Sequence, residues 1–166
     1  MNQIFIRRSV RSFLDKPVEE SKIDKLLRAG MQAPSARNQK GCKLAVITDK
    51  SMLDELSKFK PVAKPISLAP LAIVVLGDIE NMVVPFMMQQ DLSCVAQNIM
   101  LEAVSQDLGS VWIGVCPNED WIDSVTEITK LDKSLVPLAV LAIGYPTDKD
   151  ANKFIDKFDE SKIIRL

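Results

Sequence analysis

The sequence predicts an α/β fold in which helices cover a central sheet on both faces. Predicted strands and helices alternate along the chain, and the strands are continuous apolar runs, as in Leu71 to Leu76. Strands with this pattern belong to sheets that are buried on both sides. The chain has 166 residues, of which 47% are hydrophobic and 26% charged, so it suits a single domain with a sizeable core.

The first half of the chain alternates helices with strands. A helix is predicted from Glu19 to Gln32 because apolar residues recur there at helical spacing and glutamates stand at its positive end. The other elements expected in this half are a strand over Cys42 to Thr48, a helix over Ser51 to Phe59, a loop over Pro61 to Pro65 and a strand over Leu71 to Leu76.

A long apolar helix dominates the second half. From Asp91 to Leu108 the apolar residues follow helical spacing around more than one stripe, so we expect a central helix packed on several sides. Gly109 is expected to stop this helix. The remaining elements are a strand over Ser110 to Val115, a helix that Asn118 caps and that runs to Thr129, and a strand over Leu138 to Ile143.

The composition excludes several classes of protein. The absence of histidine excludes hydrolases with a histidine base and most zinc enzymes. Cys42, Cys94 and Cys116 are widely spaced, so we expect three small buried side chains and no metal site. A net charge of −1 without a basic tail argues against nucleic acid as a partner. No apolar run approaches the roughly 18 residues of a membrane helix, and no signal-like start is seen, so a cytoplasmic protein is expected.

Four short segments carry most of the chemical information. In Arg7-Arg8-Ser9-Val10-Arg11, three guanidinium groups lie close together, and guanidinium forks match phosphate oxygens in pairs. On a helix, Arg7 and Arg11 would share a face, and a bound anion would remove their repulsion. By itself such a run is more often a solvated helix end. The other segments are Ala33 to Gln39, Leu108 to Gly114, and Ala142 to Pro146.

In this order and spacing, the four segments resemble the flavin-dependent nitroreductase family, from about Ile4 to about Ile163. The resemblance implies FMN as the cofactor, bound at the interface of an intertwined homodimer, and a central mixed or antiparallel sheet flanked by helices. It also implies one nitroreductase-like domain over residues 1–166, whose tail, residues 147–166, docks on the partner subunit. The polar composition after Pro146 agrees with a tail that leaves the core there.

The resemblance assigns the phosphate and ribityl chain of FMN to the arginine segment. Arg8, Ser9 and Arg11 match the family's Arg-Ser-x-Arg element, with Arg7 as an additional member. Near the other end of the chain, Lys157 is the best match for the basic residue that the family places on the phosphate, and Lys153 is the second choice. From the residues alone, a solvated tail lysine remains the alternative for Lys157.

Two other segments match the parts of the family that surround the flavin ring. The family's Pro-Ser-x-x-Asn loop reaches across the dimer interface, and the strand after the long helix lines the flavin with backbone amides. From the residues alone, these segments are a turn that ends a helix and a buried strand. The residues that match are Pro34, Ser35, Ala36 and Asn38 in the loop, and Trp112, Ile113 and Gly114 in the strand.

The chain departs from the family pattern after Asn38. The family continues Asn-x-Gln-Pro-Trp, whereas this chain has Asn38-Gln39-Lys40-Gly41-Cys42. Lys40 beside the flavin would favour the anionic reduced form, and a solvated Lys40 is an equal alternative. Longer members insert helices where this chain has the short apolar run Val83 to Met88. We expect this run to pack under the central helix, with the flavin face as the alternative.

The resemblance implies an FMN-dependent oxidoreductase that passes hydride from NADH or NADPH, via flavin N5, to an electron-poor small molecule such as a nitroaromatic or quinone. The flavin carries the chemistry, so no side chain is expected to be catalytic and no metal is expected. Two alternatives remain open. One is a flavin-binding dimer without turnover, and the other is a different flavin reaction on the same fold, such as reductive dehalogenation.

Overall fold

The computed structural model of the protein describes residues 2–166. Within this range no helix is both long and apolar enough to cross a membrane. The helices are α1 (Gln3–Ile6), α2 (Glu20–Met31), α3 (Lys50–Leu56), α4 (Pro65–Leu68), α5 (Met88–Ser105) and α6 (Glu119–Thr129). The strands are β1 (Cys42–Ile47), β2 (Leu71–Asp78), β3 (Gly109–Gly114) and β4 (Leu135–Gly144).

The strands form one antiparallel sheet in the order β1-β2-β4-β3. Cys42 stands opposite Gly77 at one end of the sheet, and Gly109 stands opposite Gly144 at the other end. β1 and β3 are the two edge strands. The prediction of a central mixed or antiparallel sheet flanked by helices is confirmed.

Helices cover both faces of this sheet, as the continuous apolar strands predicted. All residues of β2 are buried, and its alternate side chains point into two separate core clusters. On one face, Ile73 and Val75 pack with α2 and α5. On the other face, Val74 and Leu76 join residues of α3, α4 and α6.

Local capping signals place two helices where they were predicted. The Asn118 side chain accepts a hydrogen bond from the Trp121 N–H at 3.0 Å, so it caps the N-terminus of α6. α2 lies within one residue of its predicted bounds at each end and buries Ile23 and Leu26. In both helices the residues that make the stabilising contacts lie within one or two helical turns of each other in the sequence.

The prediction that Gly109 stops the central helix is wrong. α5 ends at Ser105, and Asp107 takes the left-handed backbone conformation with a φ of 62°. Gly109 instead opens β3, where a Cβ atom would lie 2.7 Å from the Cβ of Val10. This glycine is required by close packing against the N-terminal segment.

Arg7 to Arg11 are not helical, so the prediction that Arg7 and Arg11 share a helical face is also wrong. Ser9 forms a parallel bridge with Ser110, and the Val10 N–H donates to the Ser110 carbonyl at 3.0 Å. The segment is extended because it pairs with the outer side of β3. That partner lies about a hundred residues away, beyond the reach of a local pattern.

Two regions carry more structure than predicted. The expected loop over Pro61 to Pro65 contains a 3₁₀ turn and the start of α4. After β4, Pro146 forms a bridge with Phe13, and the Thr147 N–H donates to the Ser12 carbonyl at 3.3 Å. The chain therefore stays on its own domain past Pro146, and its residues are continuously exposed only from position 153 onward.

The cysteines are free, but they are not three buried side chains. Cys94 is exposed on α5, and Cys42 and Cys116 are half-buried. That expectation is wrong because α5 keeps one exposed stripe that includes Cys94 and Gln97.

Gly109 and Gly114, at the two ends of β3, provide a matched test of this packing. A Cβ at Gly114 would meet only the indole nitrogen of Trp112, at an ordinary 3.5 Å. Gly109→Ala should lower the free energy of unfolding by about 1–3 kcal/mol because Val10 must move, whereas Gly114→Ala should leave it nearly unchanged. Urea unfolding of both variants without cofactor measures the difference, and equal losses would contradict the packing.

Candidate cofactor site

The loop before β1 has an unusual backbone. Arg37, Asn38 and Lys40 all have φ values between 51° and 54°, in the left-handed region, and none is glycine. For residues with a side chain this conformation costs roughly 1–2 kcal/mol each, somewhat less for asparagine. Backbone strain of this kind persists only where surrounding contacts hold it.

A buried carboxylate supplies those contacts. Asp91, in the first turn of α5, accepts from the Ala36 N–H at 2.9 Å and from Gln39 Nε2 at 2.6 Å. Gln39 in turn accepts from the Val84 N–H at 2.8 Å. Within the loop, the Lys40 N–H donates to the Ser35 hydroxyl at 3.2 Å. The loop is thus tied both to α5 and to the segment that precedes α5.

This loop borders a cavity of about 300 Å³. Four of the predicted site residues line it: Pro34, Ser35, Asn38 and Lys40. Its remaining walls are largely apolar and include Met82, Leu92 and Val95. An apolar pocket with a few polar groups at its rim is typical of a site for a ring-shaped ligand.

Cys42 also lines the cavity, at the position where the family has tryptophan. Burial raises the pKa of its thiol to about 11, against a small opposing effect of Lys43. The group is therefore a neutral wall of the cavity at physiological pH.

The run Val83 to Met88 does not simply pack under the central helix as expected. Met82 and Met88 are buried there, but Val83 and Phe86 are exposed, with 68% and 79% of their surface accessible. Two apolar side chains thus project from the segment that Gln39 holds beside the loop.

The arginine segment lies on the outer side of β3. Arg8 donates through Nη1 to the Arg7 carbonyl at 2.5 Å and through Nη2 to the Phe5 carbonyl at 3.1 Å. Its buried Nε has no partner among the described residues, and neither has the buried hydroxyl of Ser110. Arg11 is exposed, and its Nη1 donates to the carbonyl of Ser9 at 3.2 Å. Several donors therefore lie together, some of them unpaired.

The free edge of β3 continues from this segment. The carbonyls of Ser110 and Gly114 point away from β4, because the first accepts from Val10 and the second from Lys60 Nζ. In an antiparallel pair every second residue faces outward, so the backbone of Trp112 also points to the free edge. The side chain of Ile113 is buried in the second core cluster, and its backbone faces β4.

The two groups of predicted residues do not meet within one chain. The loop precedes β1, and the arginine segment pairs with β3, the opposite edge strand. Three inter-strand spacings of about 4.8 Å separate those edges. The loop and the arginine segment also lie at opposite ends of the sheet, roughly 20 Å apart along β2.

The tail begins beside the arginine segment of its own chain. Asn152 accepts from the Arg8 N–H at 3.2 Å and donates to the Leu108 carbonyl at 3.0 Å. The ring of Phe154 lies 6.4 Å from that of Phe5. Lys157, five residues beyond Asn152, is exposed.

Several residues that organise this region are not among the residues predicted from the sequence. Asp91 and Gln39 hold the loop, Asn152 holds the tail, and Lys60 bonds to the Gly114 carbonyl and lies 4.0 Å from the centre of the Trp121 ring. Asp91 alone gave a signal, because this charged residue stands four positions before Val95, on the apolar stripe of the predicted helix.

The profile of the nitroreductase family matches residues 4–68 and 66–145, most of the chain. The chain belongs to the nitroreductase family. A relative from Archaeoglobus fulgidus, named "Putative NADH dehydrogenase/NAD(P)H nitroreductase", is 34% identical over 99% of this chain and 96% of its own length. The resemblance stated from the four segments is therefore confirmed.

Solved structures of nitroreductase-family proteins share the fold. The "Putative NADH Oxidase" of Clostridium acetobutylicum is 44% identical and superimposes with a TM-score of 0.93, covering 98% of this chain and 97% of that one. The FMN-dependent nitroreductase of Clostridium difficile is 28% identical, with a TM-score of 0.90, and the match covers 99% and 97% of the two chains. The match extends through the tail, beyond the family profile.

Cys42 should react slowly with thiol reagents. With a pKa of about 11, roughly one thiol in a thousand is ionised at pH 8, against about one in ten at the ordinary value of 9.0. Iodoacetamide labelling at pH 8, followed by mass spectrometry, should therefore modify Cys42 at least about tenfold more slowly in the folded protein than in denaturant. Equal rates would show that the thiol is not held in a buried environment.

Proposed function

We propose that this nitroreductase-family chain is an FMN-dependent oxidoreductase that takes hydride from NADH or NADPH and reduces an electron-poor small molecule, such as a nitroaromatic or a quinone. Bound FMN would supply the redox chemistry at N5 of its ring. The observation that carries the proposal is the donor-rich free edge of β3, which runs from the arginine segment to Gly114.

The phosphate end of the cofactor fits the arginine segment. Arg8 Nε and the Ser110 hydroxyl are buried without partners among residues 2–166, and a buried unpaired donor is costly unless a ligand satisfies it. Arg11 and Ser9 are exposed beside them. The longer bonds that Arg8 Nη2 and Arg11 Nη1 make to nearby carbonyls, at 3.1 and 3.2 Å, can be exchanged for stronger bonds to phosphate oxygens.

The ring end fits the opposite end of β3. Gly114 differs from the chain's other glycines, because its added Cβ would meet only ordinary contact within the chain. Neither backbone conformation nor internal packing therefore requires glycine there. Close approach of a flat ring to the outward backbone of Trp112 and Gly114 supplies a reason.

A homodimer brings the halves of the site together. Because the loop and the arginine segment lie at opposite edges of one sheet, the Pro34 to Asn38 loop is proposed to contact FMN held mainly by the other subunit. Exposed apolar side chains near the N-terminus and in the tail also need cover, since a soluble protein rarely leaves such a patch open. They are Ile4, Phe5, Phe154, Ile155, Phe158, Ile163, Ile164 and Leu166.

The protein's own contribution is position and charge. No side chain is assigned a proton transfer, in agreement with a chain that lacks histidine. Lys40 lines the cavity on the loop, where its ammonium would stabilise negative charge on the reduced cofactor. Val83 and Phe86 offer apolar surface to an aromatic acceptor.

Anaerobic titration with each nicotinamide tests the function. The purified protein should be yellow, and NADH or NADPH should bleach it before an added quinone restores the colour. A protein that is yellow but unresponsive to both donors would be a flavin-binding dimer without turnover. A colourless protein that takes up no FMN would exclude the proposal altogether.

Arg8 and Arg11 should hold the FMN phosphate. Replacing either by alanine removes charge-assisted hydrogen bonds worth about 1.5–3 kcal/mol, roughly a ten- to hundredfold loss of FMN affinity. Fluorescence titration of the cofactor-free protein measures it. Arg28→Ala is the matched control, because Arg28 is an exposed arginine on α2 that pairs with Asp24. Unchanged FMN affinity in both the Arg8 and Arg11 variants would show that this segment does not bind the phosphate.

The tail should complete the site and the dimer. Truncation after Asn152 keeps the bonds of that residue and removes the exposed apolar side chains of the tail, so it should weaken dimerisation and FMN binding together. Lys157→Ala should weaken FMN binding alone, with Lys162→Ala, a tail lysine that pairs with Asp159, as control. Sedimentation and FMN titration are the measurements. A truncated protein that stays dimeric and binds FMN normally would make the tail a passive extension.

A further inference from the structure

We infer that Asp91 and Gln39 are positioning residues for the cofactor: together they hold the loop in the left-handed conformation that presents Asn38 and Lys40. This inference rests on the proposed binding of FMN at that loop. Asp91 lies outside the four segments that resemble the family, and Gln39 occupies the unspecified position after Asn38. Neither residue is proposed to touch the reacting atoms.

The hydrogen bonding of the pair is complete. One oxygen of Asp91 accepts from the Ala36 N–H and the other from Gln39 Nε2, so both carboxylate oxygens hold the loop. The side-chain amide of Gln39 faces the backbone of Val84 with both its groups: Oε1 accepts from the N–H at 2.8 Å, and Nε2 lies 3.4 Å from the carbonyl. A hydrogen-bonded network anchored on a buried carboxylate in this way fixes one geometry.

The position of the network explains why it is needed. Arg37, Asn38 and Lys40 are strained, and Ala36 and Gln39 lie directly among them. Asp91 is buried, with 8% of its surface accessible, on a helix that is fixed in the core by Leu92, Val95 and Ile99. Asp91 and Gln39 thus form a clamp, which connects the rigid helix α5 to the strained loop. Through Val84, the clamp also reaches the segment that carries Phe86.

Asp91→Asn tests the clamp because one of the two carboxylate oxygens becomes an amide nitrogen. That nitrogen is a donor, and it would face either the Ala36 N–H or Gln39 Nε2, both of which also donate. In the full-length chain, FMN affinity should fall roughly tenfold or more. At saturating FMN the visible circular dichroism of the bound flavin should also change, because the loop sits differently. Gln39→Met is a milder second variant, and the double variant should bind FMN no more weakly than Asp91→Asn alone.

Asp78→Asn is the matched control. Asp78 is the same residue type with the same 8% accessible surface, but its carboxylate accepts from Asn81 and makes no hydrogen bond to the loop. This control should keep both FMN affinity and the flavin spectrum. If it weakens FMN binding as much as Asp91→Asn does at a similar loss of thermal stability, Asp91 is only structural and the inference is overturned.

Hydrogen exchange in the cofactor-free protein separates this inference from the proposed function. The amide of Ala36 should lose protection in Asp91→Asn and that of Val84 in Gln39→Met, and both should keep their protection in Asp78→Asn. A wild-type chain that binds no FMN overturns the proposed function, and the clamp's role in cofactor binding with it. A wild-type chain that binds FMN, with Asp91→Asn binding as tightly or with unchanged exchange at Ala36, overturns the clamp alone.

Discussion

The complete burial of β2 determines where this protein can bind a ligand. All eight residues of that strand are buried, and a packed core cluster covers each face of the sheet. A ligand on either face would have to displace side chains from an interior that is packed as densely as a crystal. The polar groups that remain available lie at the sheet's periphery, on the outer side of β3 and in the loop before β1. The strained loop and the unpaired donors are therefore found there.

Elements whose stabilising contacts are local were predicted well from the sequence. The Asn118 cap, the apolar face of α2 and the buried run of β2 each depend on neighbours within a few residues. The extended arginine segment depends instead on pairing with Ser110, and Gly109 is required by Val10, which lies on a distant part of the chain. The spacing of apolar and polar residues along the sequence carries no information about these long-range contacts. The antiparallel order of the sheet came from the family resemblance for the same reason.

In the candidate site, too, some features could be predicted from the sequence and others depend on distant contacts. The motifs identified the loop and the arginine segment, and the structure places Pro34, Ser35, Asn38 and Lys40 around one cavity. The left-handed conformation of the loop gave no signal, because the residues that adopt it are arginine, asparagine and lysine instead of glycine. Asn152 and Lys60 gave none either, since a single polar side chain that bonds to a distant backbone group has no pattern of its own. Ile113 matched the family's motif, but its side chain supports the strand from within the core.

The two halves of the candidate site, the arginine segment and the loop before β1, lie on opposite edges of the sheet. This separation has a consequence for inheritance. If the halves meet in a homodimer, every site draws its arginine segment from one copy and its loop from the other. Consider a cell with two defective alleles, one damaged in the arginine segment and the other in the loop. A mixed dimer of their products contains one site that receives both damaged halves and one that receives both sound halves. Such alleles would complement each other, although neither product alone could assemble a working site.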